Sequence, residues 1–260
     1  MNEILNDIKK TFSNSELEKN LKIFFRKKNE WNLCLSKMDY QPYFYSNLNI
    51  DFTFEIIKSK YKFVEDFSII IKNQDKGVSI LPLFIYHDEE SYVVEFLEKK
   101  ILPPLFVKGL SEKIKKKIIE KILNFLDKLK LKLSIKSLKF IDNIFPSSSI
   151  SQWHKMILKN NYQCILQREA FVCLEYDIND IRASIRKSYK SLISKGEKIW
   201  KVESNFSISK KIWREFKALH YKAAGRKTRS DKSWEILEKG LIDKDLFFIY
   251  CLDKENKMVG

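Results

Sequence analysis

Two β-rich apolar runs, 66–73 (DFSIIIKN) and 78–87 (VSILPLFIYH), are separated by only four polar residues, Gln74, Asp75, Lys76 and Gly77. That spacing predicts a β-hairpin with glycine closing its turn. A third strand is expected over 91–97 (SYVVEFL), before the break at Pro103 and Pro104. Ser111 is placed to cap a helix in which Ile114, Ile118, Ile122, Phe125 and Leu129 recur at close to the helical period, leaving Lys115, Lys116 and Lys117 to the wet side. With a further strand over 137–142 (SLKFID), the order β-β-β-α-β argues for a mixed sheet with helices packed on it. Upstream, residues 1–60 read mostly as helix, with Ile4, Leu5, Ile8 and Phe12 at helical spacing, and the aromatic-rich stretch 40–54 reads as a loop packed on the core.

Composition narrows the class. The 260 residues are 44% hydrophobic and 32% charged, with six glycines and five prolines, which sets aside disordered, fibrous and repeat-array chains. The length suits one large domain or two small ones. A net charge of +15 invites a nucleic-acid reading, yet only seven of the 49 basic residues are arginine. Lysine-covered solvated faces account for the rest. Six of the seven arginines fall between Arg168 and Arg229, where the planar bidentate fork is available for anions. The start, MNEILNDIKK, has no signal-peptide layout, and runs such as 78–86 are too short to cross a bilayer, so a cytoplasmic protein is expected. Cys34, Cys164, Cys173 and Cys251 form no C-x-x-C pair, and only His87, His154 and His220 could join them. Neither a zinc site nor a disulfide framework is expected, and the cysteines read as small core residues.

The second half begins with a helix around Trp153 to Leu158 and a strand over 168–177. Residues 178–195 read as one helix ended by Gly196, with Ile181, Ile185, Tyr189 and Leu192 inward and Arg182, Arg186 and Lys190 in a row along its flank. A strand over 199–204 precedes a helix from about Ser209 to Ala223, with Ile212, Phe216, Leu219 and Ala223 inward. The polar loop 225–231 (GRKTRSD) leads to a helix around Trp234 and Leu237 capped by Ser230 or Asp231, then to a strand over 245–252 and a turn over 253–257. Trp200, Trp213 and Trp234 are expected in the core. The stretches 66–80 and 245–260 match in pattern: an acidic opener, a fully apolar strand, a polar turn and the onset of a return strand. The return strand is cut short in the second, so the chain reads as two similar halves, the second an incomplete copy or one completed by another chain.

The run 181–204 (IRASIRKSYKSLISKGEKIWKVES) resembles the segment of FemAB-type and related GNAT-like acyltransferases in which an arginine-studded helix ends at a glycine and leads into a strand. The stretch 219–237 (LHYKAAGRKTRSDKSWEIL), with the strand and hairpin expected after it, adds to the resemblance. The resemblance implies an α/β (α+β) fold of two tandem GNAT-like domains, with mixed sheets flanked by helices. Residues 1–145 would form the first, 146–177 a connecting helix and strand, and 178–260 the N-terminal part of an incomplete second. It implies transfer of an acyl or aminoacyl group to an amine of an amino sugar or cell-envelope precursor. The donor would be acyl-CoA, with aminoacyl-tRNA as the alternative, and no metal. The acceptor would be an anionic small molecule such as a nucleotide-linked sugar, with tRNA as a further partner and a peripheral place at the membrane left open.

Such chemistry needs oxyanion donors for the carbonyl and a base for the attacking amine. None of the six glycines lies in a G-x-G, so the cofactor loop of a GNAT domain is not found, and the chain as given is expected not to catalyse alone. Arg226 and Arg229, on a loop beside a helix N-terminus, are candidate ligands for an anion. Surface ion pairs with residues such as Asp231 are the alternative. Arg182, Arg186 and Lys190 are candidate substrate contacts or an ordinary solvated face. His220 is the candidate base, or else a satisfied histidine beside an apolar face. A non-catalytic binding paralogue and a basic nucleic-acid-binding module are the competing functions.

Overall fold

A computed structural model describes residues 2–13, 20–97, 99–142, 149–165, 167, 175–206 and 209–260. It is an α+β chain that divides into two compact units, Met1–Cys164 and Ile165–Gly260. The first unit runs α1 (Asn2–Ser13), β1 (Leu21–Phe25), α2 (Lys28–Leu35), a 3₁₀ turn at Tyr43–Tyr45, α3 (Asn47–Lys58), β2 (Val64–Asp66), β3 (Ile69–Asn73), β4 (Lys76–Leu81), β5 (Phe84–His87), β6 (Tyr92–Glu95), β7 (Leu105–Phe106), α4 (Glu112–Lys132) and α5 (Gln152–Lys159).

The expected hairpin is present: β3 and β4 pair antiparallel with Asn73 opposite Lys76. Its turn is Gln74–Asp75, and Gln74 (φ 55°) takes the left-handed conformation assigned to glycine. Gly77 lies in β4 instead, where a Cβ would stand 3.1 Å from Cys34 Sγ, so its role is to let α2 approach the strand. The expected ten-residue return strand is bent into β4 and β5 at Pro82, which has no N–H to donate to a ladder. The partner strand bends with it. Phe67 N donates to Leu83 O (2.9 Å), and Ser68 Oγ accepts from Leu83 N (3.1 Å), carrying the pairing round the corner. One sheet is therefore ordered β1-β3-β4-β7 and the other β2-β5-β6.

All strand pairs in both sheets are antiparallel, which corrects the expected mixed sheet. The strand expected over 137–142 is reduced to a parallel bridge between Ile101 and Phe140. Ile101 N donates to Lys139 O (2.8 Å) and Ile141 N to Ile101 O (3.0 Å). The next donor in register would be Pro103, which has none. Besides the short strands β2 and β7, β1 and α3 were not expected. β1 pairs with β3 through alternately buried Leu21 and Ile23. Much of the aromatic stretch is α3, started by Ser46, whose side chain accepts from Asn49 N (3.1 Å), and held by buried Ile50 and Ile57.

Residues 67–71 and 78–86 are buried without interruption because both faces of the ribbon are covered there. Ile69, Ile71 and Leu81 join Leu5, Ile8 and Phe12 of α1, Ile118, Ile122, Phe125 and Leu129 of α4, and Trp153 and Met156 of α5. Ile70, Ile80, Phe84 and Tyr86 join Trp31 and Cys34 of α2 and Ile50 and Ile57 of α3. Helix α5, from the expected connector, thus belongs to the first unit's core. Arg26, at the end of β1, ties the second layer to the sheet: Nε donates to Asp66 (2.8 Å), Nη1 to Asn47 (2.6 Å) and Nη2 to Asp51 (2.9 Å).

The second unit runs α6 (Ile178–Ser184), α7 (Lys187–Ile199), β8 (Lys201–Asn205), α8 (Lys210–Ala224), α9 (Asp231–Ile242) and β9 (Phe248–Leu252). Strands β8 and β9 pair antiparallel and pack Phe248, Tyr250 and Leu252 against Trp213, Trp234 and Leu241. Beyond β9, Asp253 accepts from the backbone N–H groups of Glu255 and Lys257 (2.9 Å each), and Val259 N donates to Cys251 O (2.9 Å), beginning the expected return strand. Most of the strand expected over 168–177, with Arg168 and Cys173, lies outside the described residues.

The single helix expected over 178–195 is two. The chain is extended at Ile185 and Arg186, and the carbonyls at the end of α6 are met by Ser184 Oγ on Ile181 O (2.7 Å) and Lys190 Nζ on Ala183 O (2.9 Å). Gly196 lies within α7 and does not end it; a Cβ there would make ordinary contact with the Trp200 ring, at 3.6 Å. Tyr189, Leu192 and Trp200 are exposed, not inward, and Ala223 is exposed as well.

Two predictions follow from the first unit's packing. Gly77→Ala should cost about 1–3 kcal/mol in denaturant unfolding, as overpacked sites do. The loss should shrink in a Cys34→Ala background, where the crowding sulfur is gone. Glu95 is buried against Tyr86, and its Oε2 meets no hydrogen-bond partner among the described residues. Burial raises its carboxyl above the ordinary carboxylate range, so the folded chain holds a proton that the unfolded chain has released. Stability should therefore fall as pH rises from the ordinary carboxylate pKa through the raised one. Thermal melts across that window should show a flatter profile for Glu95→Gln.

Candidate functional site

Three of the second unit's candidate residues, His220, Arg226 and Arg229, lie where α8 hands over to α9. Helix α8 ends at Gly225, whose left-handed φ of 65° reverses the chain without a Cβ penalty. Ser230 then starts α9, its side chain accepting from Ser233 N (3.2 Å), while Ser233 Oγ donates to Ser230 O (2.8 Å). The loop between is thereby drawn over the indole of Trp234, which is 1% exposed.

Three groups meet on that indole. Trp234 Nε1 donates to Tyr221 Oη (2.7 Å), the His220 ring stands edge-on with centroids 5.3 Å apart, and the Arg229 guanidinium carbon lies 5.1 Å from the ring centroid. Lys217 Nζ lies 5.8 Å from the same ring. His220 Nε2 is 2.6 Å from Thr228 Oγ1. Burial, then the charge of Arg229, hold the imidazole below its ordinary pKa. At the first turn of α9, Asp231 takes Lys227 (2.8 Å) and Lys217 (3.8 Å), and the Lys227 bond holds its carboxyl below the usual range. The result is an imidazole beside a cation, at the positive end of a helix.

His220 and Arg229 are thus brought together, and Arg226 lies exposed on the same loop. The expected basic row is not one helix face: Arg182 is paired with Glu197, Arg186 stands at the N-cap of α7, and Lys190 bonds Ala183 O. Trp213 and Trp234 are core residues as expected, whereas Trp200 is on the surface. Thr228, Tyr221 and the platform role of Trp234 were not foreseen. The legible signal was the pairing of a serine cap with a tryptophan one turn later, which places that ring under the preceding loop. Among the described residues no group of three or more His, Cys, Asp or Glu is placed to hold a metal ion, and no helix is long and apolar enough to cross a membrane.

No protein-family model matches the chain, and neither a curated protein nor a solved structure does. What the site does must therefore be argued from its residues. One physical consequence is direct: Arg229→Ala should cost about 0.5–1 kcal/mol of stability, the range for a cation over an aromatic face at a partly exposed position. In a Trp234→Leu background the same change should cost less, and the difference, read by a double-mutant cycle in chemical unfolding, is the share carried by the ring.

Proposed function

We propose that the chain is of the GNAT-like, FemAB-type acyltransferase kind, which moves an acyl or aminoacyl group to an amine, and that it holds the acceptor at the α8–α9 junction without catalysing transfer alone. The observation that carries this reading is the His220 imidazole standing beside Arg229 over Trp234. An amine attacking an activated carbonyl must lose a proton, and an acceptor bearing phosphate or carboxylate must be anchored nearby. His220 serves the first need. In the tautomer that donates from Nε2 to Thr228, Nδ1 keeps its lone pair for the amine proton. Arg229 and the exposed Arg226, at the N-terminal end of α9, serve the second. The resemblance of 181–204 and 219–237 to these transferases supplies the reaction class.

The donor in this reading is acyl-CoA, with aminoacyl-tRNA as the alternative. The acceptor is an anionic amino sugar, nucleotide-linked, or a cell-envelope precursor of the same charge. Thermal shift of the full chain with acetyl-CoA and with nucleotide-linked amino sugars tests both. A ligand-dependent rise is expected, and joint replacement of Arg226 and Arg229 by Ala should weaken acceptor binding at least about tenfold, the loss of a charge-assisted contact. His220→Gln, which removes the base and leaves the arginines, should leave acceptor binding intact. Undiminished acceptor affinity in the arginine double variant would remove the site assignment. Acceptor binding with no shift from any donor would point to a non-catalytic binding protein.

A further inference from the structure

The first unit holds a second chemical arrangement, separate from the α8–α9 junction. His154, on α5, has Asp142 on one ring nitrogen and Cys164 on the other: Nδ1 lies 3.8 Å from Asp142 Oδ2, and Nε2 lies 4.0 Å from Cys164 Sγ. The side chains of His154 and Asp142 are 16% and 12% exposed, while Cys164 is open to solvent. A thiol, an imidazole and a carboxylate in that order form the nucleophile, base and orienting group of covalent catalysis.

The order is held by packing that does not involve the three groups themselves. Phe140, two residues before Asp142, stacks edge-on with Trp153, next to His154 (centroids 5.5 Å), and with Tyr162, two residues before Cys164 (4.9 Å). One aromatic cluster thus sets all three segments. The carboxylate is positioned further by Ser151, which caps α5 by accepting from His154 N (3.0 Å) and donates to Asp142 Oδ2 (2.6 Å). Trp153 Nε1 is buried with no acceptor among the described residues, a donor left unspent beside the arrangement.

We propose that Cys164 is a nucleophilic thiol whose proton is taken by His154, with Asp142 holding the imidazole in place, and that it accepts the acyl group of a thioester. In that step the Cys164 Sγ–carbonyl carbon bond forms and the donor's carbon–sulfur bond breaks. The proton passes from Sγ to His154 and then to the departing thiolate. A thioester fits because its leaving group is itself a thiolate, matched to the imidazole as a proton acceptor. By contrast, burial pushes the Cys34 thiol up to about 11 and closes it to such chemistry.

The test is the rate of iodoacetamide alkylation at each cysteine of the full chain, read by peptide mass spectrometry between pH 5.5 and 8.5, with glutathione as reference. Cys164 should react at least about tenfold faster than glutathione at pH 7, as base-assisted thiols do. Its rate should fall less steeply below pH 7 than the tenfold per pH unit of a free thiol. His154→Gln should return it to the free-thiol profile, and Asp142→Asn should fall between. With acetyl-CoA, a hydroxylamine-labile acetyl group should appear on Cys164 and be lost in Cys164→Ser. A free-thiol profile in the unaltered chain overturns the proposal whether or not the variants fold. An activated thiol that gains no acetyl group overturns the thioester assignment.

Discussion

The β3–β4 hairpin is covered on both faces, and the first unit is organised around that fact. Ile69 and Ile71 face α1, α4 and α5, while Ile70 and Ile80 face α2 and α3, so each strand feeds two cores. A strand in that position cannot slip by one residue without exchanging the contents of the two cores. The surrounding helices are held in register by it, including α5 and the segments that bring Asp142, His154 and Cys164 together. The bend at Pro82 follows from the same demand: the ribbon has to curve to stay between its two layers, and a residue without an N–H is the place where a ladder gives way at least cost.

The second unit solves a smaller version of the problem with aromatic rings. Its core is a run of edge-on contacts joining Trp213, Phe216, Trp234 and Phe248, backed by a two-stranded sheet. Aromatic side chains bury much area from few positions, which suits a unit with little sheet to cover. The same choice makes the site. Trp234 faces the core with one part of its surface and carries His220, Tyr221 and Arg229 on others, so the chemistry rests on a ring that the fold already has to bury.

Much of this was legible before any coordinates. The hairpin, α4 and its lysine-lined wet side, the Ser209 and Ser230 helix starts and the strand at 245–252 all follow from local period and capping. The misreadings share a cause. α3 was hidden because its aromatic residues obscured a helical period that Ser46 announces, and β1 because a five-residue strand with two buried positions has too little pattern of its own. The helix expected over 178–195 breaks where side chains find backbone carbonyls, an outcome that periodicity does not encode. At the site, His220 and Arg229 stood out by residue type, but Thr228 is unremarkable until the loop folds it to within 2.6 Å of an imidazole nitrogen.

What the sequence by itself determined is the class of the chain: α+β, with a buried hairpin, a basic lysine-rich surface and arginines concentrated in its second half. Those features are set by side-chain period, by capping chemistry and by charge, all of which act over a few residues. Tertiary structure alone decided that the sheets are antiparallel, that Gly77 makes room for Cys34, and that Asp142 and Cys164 meet on either side of His154. Each of these depends on which surfaces are pressed together. That is settled by the burial of whole faces, a sum over distant residues that no local stretch of the chain contains.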